Sequence, residues 1–410
     1  MLKKLSNYIE VIPHNNGYVL FNKINGSIVF FNREYIFRKE NEFTVLCSEE
    51  EENILENSAF FIDELKVRNF IREKCSRQHL MKKTSIILSV TEKCNLSCKY
   101  CYQSKWSKDD SLTDEAFISV IMEYFKEIIP QIDNIGGVLN IYFIGGEPLL
   151  KSDLILKITH TILAYSNYKG YIHLKTNFYI DTNGLLLSRD FIKKFPNLSV
   201  STTLSLADDH NKLRSNSFEP LYNILNDLKD IFDGNIYRLN IRYNIHHKNY
   251  HELNDLVEKL NDTGIKYSLD IQNIMNVPSA TFVNKLNNAD FEKIYLEKIV
   301  PLLLKRGIIP NILPEFGLSR HCLNANILNR KYYSNGQIVV CDAIPKSNRN
   351  QPLGELISLP EMCINCYDFP YCGGPKPCDT YKCTGIFRNK QNVRDRIILY
   401  VKQSGILEDS

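Results

Sequence analysis

The sequence predicts an α/β fold, with a parallel sheet in the middle of the chain, a small α+β module before it and a cysteine-rich domain after it. Apolar runs alternate with amphipathic helical patterns between residues 85 and 285, which is typical of the βα units that build a parallel sheet. Seven of the twelve cysteines fall in the last quarter of the chain. A chain of 410 residues is long enough for two or three domains, and we place them at residues 1–84, 85–309 and 310–410.

The N-terminal segment is predicted to contain a β-hairpin followed by helices. The runs Gly17–Asn22 and Ser27–Asn32 are rich in aromatic and branched residues, and Asn25-Gly26 lies between them. Asn-Gly between two apolar runs is the strongest short-range hairpin signal. Short helical patterns follow the acidic run Glu49–Glu52. We expect one face of these helices to be buried by four apolar residues, namely Phe60, Phe61, Leu65 and Phe70.

The central segment contains six candidate strands separated by helical patterns. The predicted strands are Ser85–Val90, Val138–Ile144, Tyr171–Ile180, Leu198–Leu206, Tyr237–Asn244 and Lys266–Ile271. The predicted helices are Asp114–Ile129, Ser152–Tyr165, Ser188–Phe195, Phe218–Phe232 and His251–Asn261. In such α/β folds, chemistry gathers at the carboxyl ends of the strands, so functional motifs are expected there.

Three cysteines directly follow the first of these strands. Cys94, Cys98 and Cys101 have the spacing C-x3-C-x2-C. Thiolates this close can surround one metal centre, and soft sulfur ligands select zinc, copper or iron–sulfur species. A closed structural site needs four protein ligands, so three cysteines leave one metal position open, as in catalytic zinc sites. A small zinc knuckle and incidental buried cysteines are the alternatives, but no fourth ligand lies nearby in the sequence.

This loop, with the aromatic Tyr100 before its last cysteine, resembles the signature of the radical S-adenosylmethionine (SAM) family. The resemblance implies that the three cysteines hold a [4Fe–4S] cluster whose fourth iron binds S-adenosylmethionine, and that Tyr100 lies near the adenine. It also implies reductive cleavage of the cofactor to a 5′-deoxyadenosyl radical, which abstracts hydrogen from a substrate. Six strands fit the partial (β/α)6 barrel, similar to a TIM barrel, of that family.

Further motifs of the same family follow later predicted strands. Gly145-Gly146-Glu147-Pro148 resembles the element that binds the amino group of the cofactor, and Asn183 belongs to a Thr-Asn-Gly element that shapes its pocket. After the fourth strand the usual D-G-P turn is missing, although Ser205 and a His-Asn-Lys-Leu-Arg stretch ending at Arg214 remain. The resemblance makes Ser205 and Arg214 cofactor-binding candidates, and Arg214 is equally well explained as a solvated arginine. Arg242 on the fifth strand is a further candidate.

The C-terminal cysteines resemble the SPASM domain, which carries auxiliary [4Fe–4S] clusters in enzymes that mature peptides and sulfatases. The resemblance assigns an inner cluster to Cys322, Cys341 and Cys378, and an outer cluster to Cys363, Cys366, Cys372 and Cys383. Five residues rather than the usual three separate Cys372 from Cys378, which leaves open whether Cys378 and Cys383 exchange roles. Zinc is the alternative, but seven thiols exceed what one zinc ion uses. The stretch from Val393 to Gln403 has helical periodicity.

Composition narrows the function classes. The net charge of +3 is too small to indicate nucleic-acid or membrane-surface binding. The sequence has no apolar run of about 18 residues and no secretory signal pattern after Met1, so we expect a cytoplasmic protein. Clustered cysteines in such a protein indicate metal or cluster ligation rather than disulfides.

The combined resemblance implies a maturase of a ribosomally synthesised peptide, with the precursor peptide as substrate and flavodoxin or ferredoxin as reductant. Residues 1–84 resemble leader-peptide recognition domains in layout, which bind a peptide as an added strand, although a module that only packs on the barrel explains them too. An anaerobic sulfatase-maturing enzyme and a non-catalytic iron–sulfur protein are the alternatives. No catalytic base is assigned; Asp270 and Glu315 are candidates only, and each is also explained as a structural residue.

Overall fold

The computed structural model describes residues 1–40, 42–76, 83–101, 103, 110–234, 236–274, 286–308, 329–339, 363, 365–367 and 390–403. The strands are β1 Leu2–Lys4, β2 Ile9–His14, β3 Gly17–Asn22, β4 Ile28–Asn32, β5 Ile36–Lys39, β6 Glu42–Leu46, β7 Lys83–Thr91, β8 Val138–Gly145, β9 Lys175–Asp181, β10 Leu198–Thr203, β11 Tyr237–Ile245, β12 Ser268–Asn273, β13 Arg330–Tyr333 and β14 Ile338–Val339. The helices are α1 Glu49–Asn57, α2 Glu64–Ser76, α3 Asp114–Asn134, α4 Ser152–Lys169, α5 Arg189–Ile192, α6 Ala207–Leu213, α7 Phe218–Asp227, α8 Leu253–Asp262, α9 Asn288–Ile294, α10 Val300–Lys305 and α11 Lys390–Gln403.

The described residues divide into two compact units. The N-terminal unit contains residues 1–76 together with 363, 365–367 and 390–403. The sheet unit contains the described residues from 83 to 308 and residues 329–339. No helix in the described part of the chain is both long enough and apolar enough to cross a membrane.

The N-terminal unit contains two three-stranded antiparallel sheets, ordered β2-β3-β4 and β1-β6-β5. The predicted hairpin is confirmed as β3 and β4, which pair from Gly17 opposite Asn32 to Phe21 opposite Ile28. The second sheet was not predicted, because its strands are only three to five residues long and carry many charged residues.

The β2-β3-β4 sheet is buried on both faces, because successive side chains along a strand point to opposite sides. Val19 and Phe21 on one face pack against Ile397 of α11. Leu20 on the other face packs in a cluster with Leu55 of α1. The C-terminal helix is therefore part of the core of this unit.

The helices of the N-terminal unit bury a different face from the predicted one. The acidic run forms the first turn of α1, where Ser48 and Glu51 make a reciprocal capping box. Phe60 is fully buried between α1 and α2, but Leu65 is 61% exposed and Phe70 is 43% exposed. The buried stripe of α2 contains Val67 and Ile71, four residues apart. The prediction was wrong because it treated residues on both sides of a helix start as one periodic face.

The sheet unit contains an open eight-stranded sheet in the order β12-β11-β10-β9-β8-β7-β13-β14. Strands β12 to β7 and β13 are parallel to their neighbours, and β14 is antiparallel to β13. The six predicted strands are β7 to β12, so the α/β class and the partial barrel are confirmed. The seventh parallel strand, β13, lies in the segment that the sequence groups with the C-terminal cysteines.

The two faces of the parallel sheet differ in chemistry. On β8, Ile141 and Phe143 are fully buried, and the Phe143 ring packs edge-on against Phe195, which follows α5. The alternating positions of β8 carry Asn140 and Tyr142, which are bonded or stacked to the matching side chains of β9. Since the apolar face packs under the helices, the concave face of the open barrel is polar.

Candidate functional site

The cysteine loop begins where β7 ends and is fastened by a buried aspartate. Asp110 accepts hydrogen bonds from the Thr91 hydroxyl at 2.6 Å, from the Glu92 amide at 2.9 Å and from the Ser334 hydroxyl at 2.8 Å. Burial alone would raise the pKa of Asp110, but these donors hold it below its usual value. Sequence reasoning missed Asp110, because no local pattern shows that it returns to the end of β7.

The three thiols of the loop are half-buried and influence one another. Burial raises the pKa of Cys94 and of Cys98, and the neighbouring Cys101 thiol acts in the same direction. In the described residues, no three His, Cys, Asp or Glu side chains are close enough to hold a single metal ion. A [4Fe–4S] cluster requires a different arrangement from a single metal ion, because each thiolate binds a different iron atom.

The Gly145-Gly146-Glu147 turn at the end of β8 is hydrogen-bonded to the start of the cysteine loop. The Gly146 amide donates to the Thr91 carbonyl at 2.9 Å, and the Glu147 amide donates to the Lys93 carbonyl at 2.8 Å. A Cβ on Gly145 would lie 2.2 Å from the Thr91 oxygen, and one on Gly146 would lie 2.3 Å from the Lys93 oxygen. The glycines therefore permit close approach of two backbone segments.

The Glu147 carboxylate joins this turn to the Thr-Asn-Gly element after β9. It is fully buried and accepts hydrogen bonds from the Leu149 amide at 3.0 Å, the Thr182 hydroxyl at 2.7 Å and the Asn183 amide at 2.7 Å. Burial raises the pKa of Glu147, and these three donors oppose that shift. Two motifs that the sequence could only place on separate strands are thus in direct contact.

Asn183 reaches from this element to the cysteine loop. Its side-chain nitrogen donates to the Asn95 oxygen at 2.6 Å and lies 4.0 Å from the Cys94 sulfur. A hydrogen-bond donor beside a ligand thiolate stabilises the charged form of the sulfur.

Arg214, which the sequence explains equally well as a solvated arginine, is buried beside the same loop. Its Nη1 donates to the Tyr100 hydroxyl at 3.0 Å, and its side chain is only 6% exposed. Its charge opposes the rise in the pKa of the Cys98 thiol that burial causes. Arg214 therefore lies at the cysteine loop, and the solvated-arginine alternative does not describe its position.

Ser205 is held by a network of hydrogen bonds with His210 and Asp209. Its amide donates to Nδ1 of the buried His210 at 3.4 Å, and its hydroxyl is hydrogen-bonded to Asp209. Asp209 also contacts Nε2 of His246 at 2.9 Å. His246, which shows no ligand spacing in the sequence, therefore supports the Ser205 turn through Asp209.

Comparison with known proteins identifies the central part of the sheet unit. The family model of the radical SAM superfamily matches residues 88–260. This segment is a radical SAM domain. It contains the three cysteines, the Gly145–Glu147 turn, Asn183, Ser205 and Arg214, so the family resemblance expected from the sequence is confirmed for it.

Among curated proteins, the chain is similar to the radical SAM cyclopropyl synthase TigE of Paramaledivibacter caminithermalis, with 24% identity over 272 residues. That match covers 57% of this chain and 55% of TigE, so the chain spans about half the length of this relative.

Among solved structures, Streptococcus suis SuiB bound to S-adenosylmethionine matches with a TM-score of 0.53 and 15% identity, covering 92% of this chain and 96% of SuiB. The structure of anSMEcpe with bound AdoMet matches with a TM-score of 0.54 and 17% identity, covering 78% of this chain and 98% of that chain. At these identities the likeness shows a shared fold.

A radical SAM domain carries a [4Fe–4S] cluster with S-adenosylmethionine, and the residues present fit both groups. The three half-buried thiols are of the ligand type that such a cluster requires, the Asn183 side-chain nitrogen lies 4.0 Å from the Cys94 sulfur, and the charge of Arg214 acts on the Cys98 thiol. Within the described residues, Nε of Arg214 is buried without a hydrogen-bond partner, so a donor at this site is available to an anionic group of a ligand.

The candidate base Asp270 lies on β12, at the end of the sheet opposite β13 and β14. It accepts a hydrogen bond from Nε of Arg242 at 3.2 Å and one from the Gln272 side chain at 2.6 Å. Arg242 also lies 4.0 Å from Asp181 at the end of β9. Asp181 was not singled out from the sequence. The other candidate base, Glu315, lies outside the described residues.

Two of the seven predicted auxiliary-cluster ligands are described, and both belong to the N-terminal unit. Cys363 is buried against Tyr8, and the Cys366 amide donates to the Cys363 carbonyl at 3.1 Å. Tyr367 follows, with its ring 5.3 Å from that of Tyr8 and its hydroxyl donating to Glu64 at 2.8 Å. The remaining predicted ligands lie outside the described residues, namely Cys322, Cys341, Cys372, Cys378 and Cys383.

Proposed function

We propose that this chain is a radical SAM enzyme that modifies a ribosomally synthesised peptide. The observation that carries the catalytic part of the proposal is the junction of the cysteine loop with the Gly145–Glu147 turn. Two backbone hydrogen bonds of 2.9 and 2.8 Å join them at the carboxyl ends of β7 and β8. Ligand thiolates and the motif that the resemblance assigns to the cofactor's amino group therefore face the same end of the barrel, where α/β barrels carry their chemistry.

When bound, S-adenosylmethionine and the cluster supply a radical strong enough to abstract an unactivated hydrogen. The protein binds, orients and shields these groups. Cys94, Cys98 and Cys101 would hold the cluster. Asn183 places a donor 4.0 Å from the Cys94 sulfur and the charge of Arg214 acts on the Cys98 thiol, while the buried Glu147 holds together the two turns that would bind the cofactor.

A peptide substrate is supported by the N-terminal unit and by the structural neighbours. SuiB has been solved with its precursor peptide SuiA, with a TM-score of 0.50 over 92% of this chain, and anSMEcpe has been solved with the Kp18Cys peptide. In the described part of the chain, β5 pairs only with β6, so its other edge is open to an added strand. Phe37 on β5 is 47% exposed beside that edge. We place binding of the leader part of the precursor peptide at this edge.

Auxiliary [4Fe–4S] clusters belong to the proposal as well. Cys363 and Cys366 lie on one turn, three residues apart, as in the outer-cluster pattern of the SPASM domain. Cys322, Cys341, Cys372, Cys378 and Cys383 would complete two clusters, with flavodoxin or ferredoxin as the electron donor. Zinc at these cysteines would not accept electrons, whereas clusters can take the electron left on a substrate radical.

The sulfatase-maturing alternative is weaker. The anSMEcpe structure accounts for 78% of this chain, whereas the SuiB structure accounts for 92%. The folded N-terminal unit, with two sheets and two helices ahead of β7, favours an enzyme that needs a separate contact with its substrate. The third candidate, a cluster protein without catalysis, predicts no cleavage of S-adenosylmethionine.

Anaerobic reconstitution followed by iron counting and a 5′-deoxyadenosine assay tests the proposal. One cluster corresponds to about four irons per chain and three clusters to about twelve. We expect Cys94→Ala to lose about four irons and all 5′-deoxyadenosine formation, while Cys47→Ala, which removes a buried thiol of the N-terminal unit, keeps both. Wild-type protein that forms no 5′-deoxyadenosine with a strong reductant would overturn the catalytic proposal, and about four irons in wild type would remove the auxiliary clusters.

The substrate class is tested with any short peptide that is found to be encoded beside the gene. We expect a mass change in that peptide that requires the reductant and S-adenosylmethionine. Modification of a sulfatase-derived cysteine or serine peptide instead would establish the alternative.

A further inference from the structure

Three charged side chains form a continuous wall on the concave face of the barrel. Arg242 of β11 lies between Asp270 of β12, with Nε to Oδ2 at 3.2 Å, and Asp181 of β9, with Nη1 to Oδ2 at 4.0 Å. The strand registers place Arg242 directly beside Asp270 and put Asp181 beside Ser201 of β10. All three therefore belong to the same face of the sheet, on neighbouring strands near their carboxyl ends.

The wall is accessible to solvent. The side chains of Asp181, Arg242 and Asp270 are 45%, 36% and 30% exposed. The surrounding protein nevertheless raises the pKa of Asp181 by desolvation, and the charge of Arg242 opposes this. Because the three side chains share the polar face of the sheet and remain partly exposed, they are accessible to a molecule bound on that face.

Polar side chains on neighbouring positions hydrogen-bond to the two carboxylates of the wall and to one another. Ser201 bonds to Asp181 and accepts from Asn240 at 3.3 Å, and Asn240 in turn accepts from Ser268 at 3.0 Å. Gln272 donates to Asp270 at 2.6 Å. This network fixes the two carboxylates in place, so the wall is a built surface rather than a set of mobile side chains.

The net charge of the wall determines whether it favours a cationic or an anionic ligand. When both carboxylates are ionised, they share one guanidinium, which leaves one negative charge in excess. On strands β9 to β12, the other basic side chains of this face are Lys175 and Arg238, which lie at the amino ends of β9 and β11. An anionic group would have to approach both carboxylates, whereas a cation would complete the charge balance.

Neighbouring aromatic residues favour a long basic side chain as the cation. Tyr179 lies two residues before Asp181 on the same face of β9, and its ring stacks on that of Tyr142 with centroids 4.5 Å apart. Long basic side chains lay their aliphatic stems along apolar surface and keep the charged end on polar partners. Stacked rings beside a carboxylate suit such a side chain.

We propose that Asp181 and Asp270, with Arg242 between them, form a subsite that binds a cationic side chain of the substrate, a primary ammonium or a guanidinium. The subsite orients the substrate in the barrel, and it rests on the proposed peptide-modifying function for its biological meaning. Asp270 is then a substrate-positioning residue rather than a catalytic base.

Binding of three capped tripeptides to the full, reconstituted protein tests the subsite. The probes are acetylated and amidated Gly-Lys-Gly, Gly-norleucine-Gly and Gly-Glu-Gly, measured by saturation-transfer NMR at low salt with S-adenosylmethionine but without reductant. We expect the lysine peptide to bind about fivefold or more tightly than the other two, which is the effect of one ion pair. Equal binding of the three, no binding of any, or preference for the glutamate peptide would overturn the subsite.

Two opposite substitutions separate the subsite from a merely structural ion pair. Asp181→Asn should weaken binding of the lysine peptide about fivefold, whereas Arg242→Gln, which removes the competing cation, should strengthen it by a similar factor. A structural role predicts weaker binding for both, and that result would overturn the proposal. Glu123→Gln on α3, an exposed position, is the matched control and should bind as wild type does.

The assay distinguishes failure of the subsite from failure of the proposed function. Peptide binding is measured without turnover, and 5′-deoxyadenosine formation is measured separately. Loss of the lysine preference in a protein that still cleaves S-adenosylmethionine counts against the subsite alone. A retained lysine preference in a protein that never cleaves S-adenosylmethionine counts against the enzyme alone.

Discussion

The Thr182 hydroxyl donates a hydrogen bond of 2.7 Å to the fully buried carboxylate of Glu147. This bond joins the ends of β8 and β9, and the same hydroxyl accepts from the Gly184 amide at 2.9 Å. Hydrogen bonds to a buried charge are among the stronger ones in a protein, because a lost partner leaves the charge without solvent.

Thr182→Val removes the donor while keeping the side-chain volume. We expect it to lower the free energy of unfolding by about 1.5–3 kcal/mol, the range for hydrogen bonds to charged groups. Urea denaturation of the anaerobic protein followed by circular dichroism measures this. Thr182→Ser retains the hydroxyl and should lose clearly less stability. Equal losses in the two variants would show that the missing methyl contacts, rather than the bond, cause the effect.

The sequence predicts the position of each motif along the chain but not their contacts. The cysteine loop, the Gly145–Glu147 turn and Asn183 each follow a strongly apolar run, so their placement at the carboxyl ends of strands follows from strand length and order. The bond between Glu147 and Thr182 depends on which strands are neighbours and on rotamers in a buried space. Periodicity contains no information about either.

The residues that sequence reasoning did not identify are those whose partners lie far away along the chain. Asp110 follows the cysteine loop with no recognisable pattern around it, yet it accepts three hydrogen bonds beneath that loop. The wall residue Asp181, which directly precedes the Thr-Asn-Gly element, was given no role from the sequence. The position of α11 in the N-terminal unit could not be predicted either, since an amphipathic pattern shows that one face is buried but not what covers it.

Gly146 tests whether the turn and the cysteine loop form one structure. A Cβ in Gly146→Ala would lie 2.3 Å from the Lys93 carbonyl oxygen, so the loop must move. We expect the variant to lose about four irons per chain on reconstitution, because one cluster would no longer be held. Iron and acid-labile sulfide analysis measures this.

Gly234→Ala is the matched control for that experiment, because a Cβ there would meet nothing within 4 Å. It should retain the iron content of the wild type. Full iron loading of Gly146→Ala would contradict the tight contact between turn and loop.

The C-terminal helix is expected to stabilise the N-terminal unit. Ile397 of α11 is fully buried against the β2-β3-β4 sheet. Ile397→Ala should therefore lower the free energy of unfolding of this unit by about 2–5 kcal/mol, the usual range for a large apolar side chain in a core. The free energy of the first unfolding transition in urea, detected by limited proteolysis of residues 1–76, measures this change. Lys402→Ala on an exposed position of the same helix should change the transition by less than about 0.5 kcal/mol, and equal effects would contradict the packing.

His210 is predicted to make stability depend on pH. Its Nδ1 accepts from the Ser205 amide, so Nε2 carries the proton toward the Ser217 hydroxyl at 3.0 Å. Burial, with the nearby charge of Arg214, lowers the pKa of His210 from 6.5 to about 3. Between these two values the unfolded chain binds a proton that the folded chain does not. Stability from this group is therefore complete above pH 6.5 and falls as the pH is lowered, by up to about 1.4 kcal/mol per pH unit.

His210→Gln should flatten the pH dependence of the unfolding free energy between pH 6.5 and about 5, while His251→Gln, at an exposed position, should leave it unchanged. The same slope in wild type and His210→Gln would show that another group is responsible for the acid sensitivity.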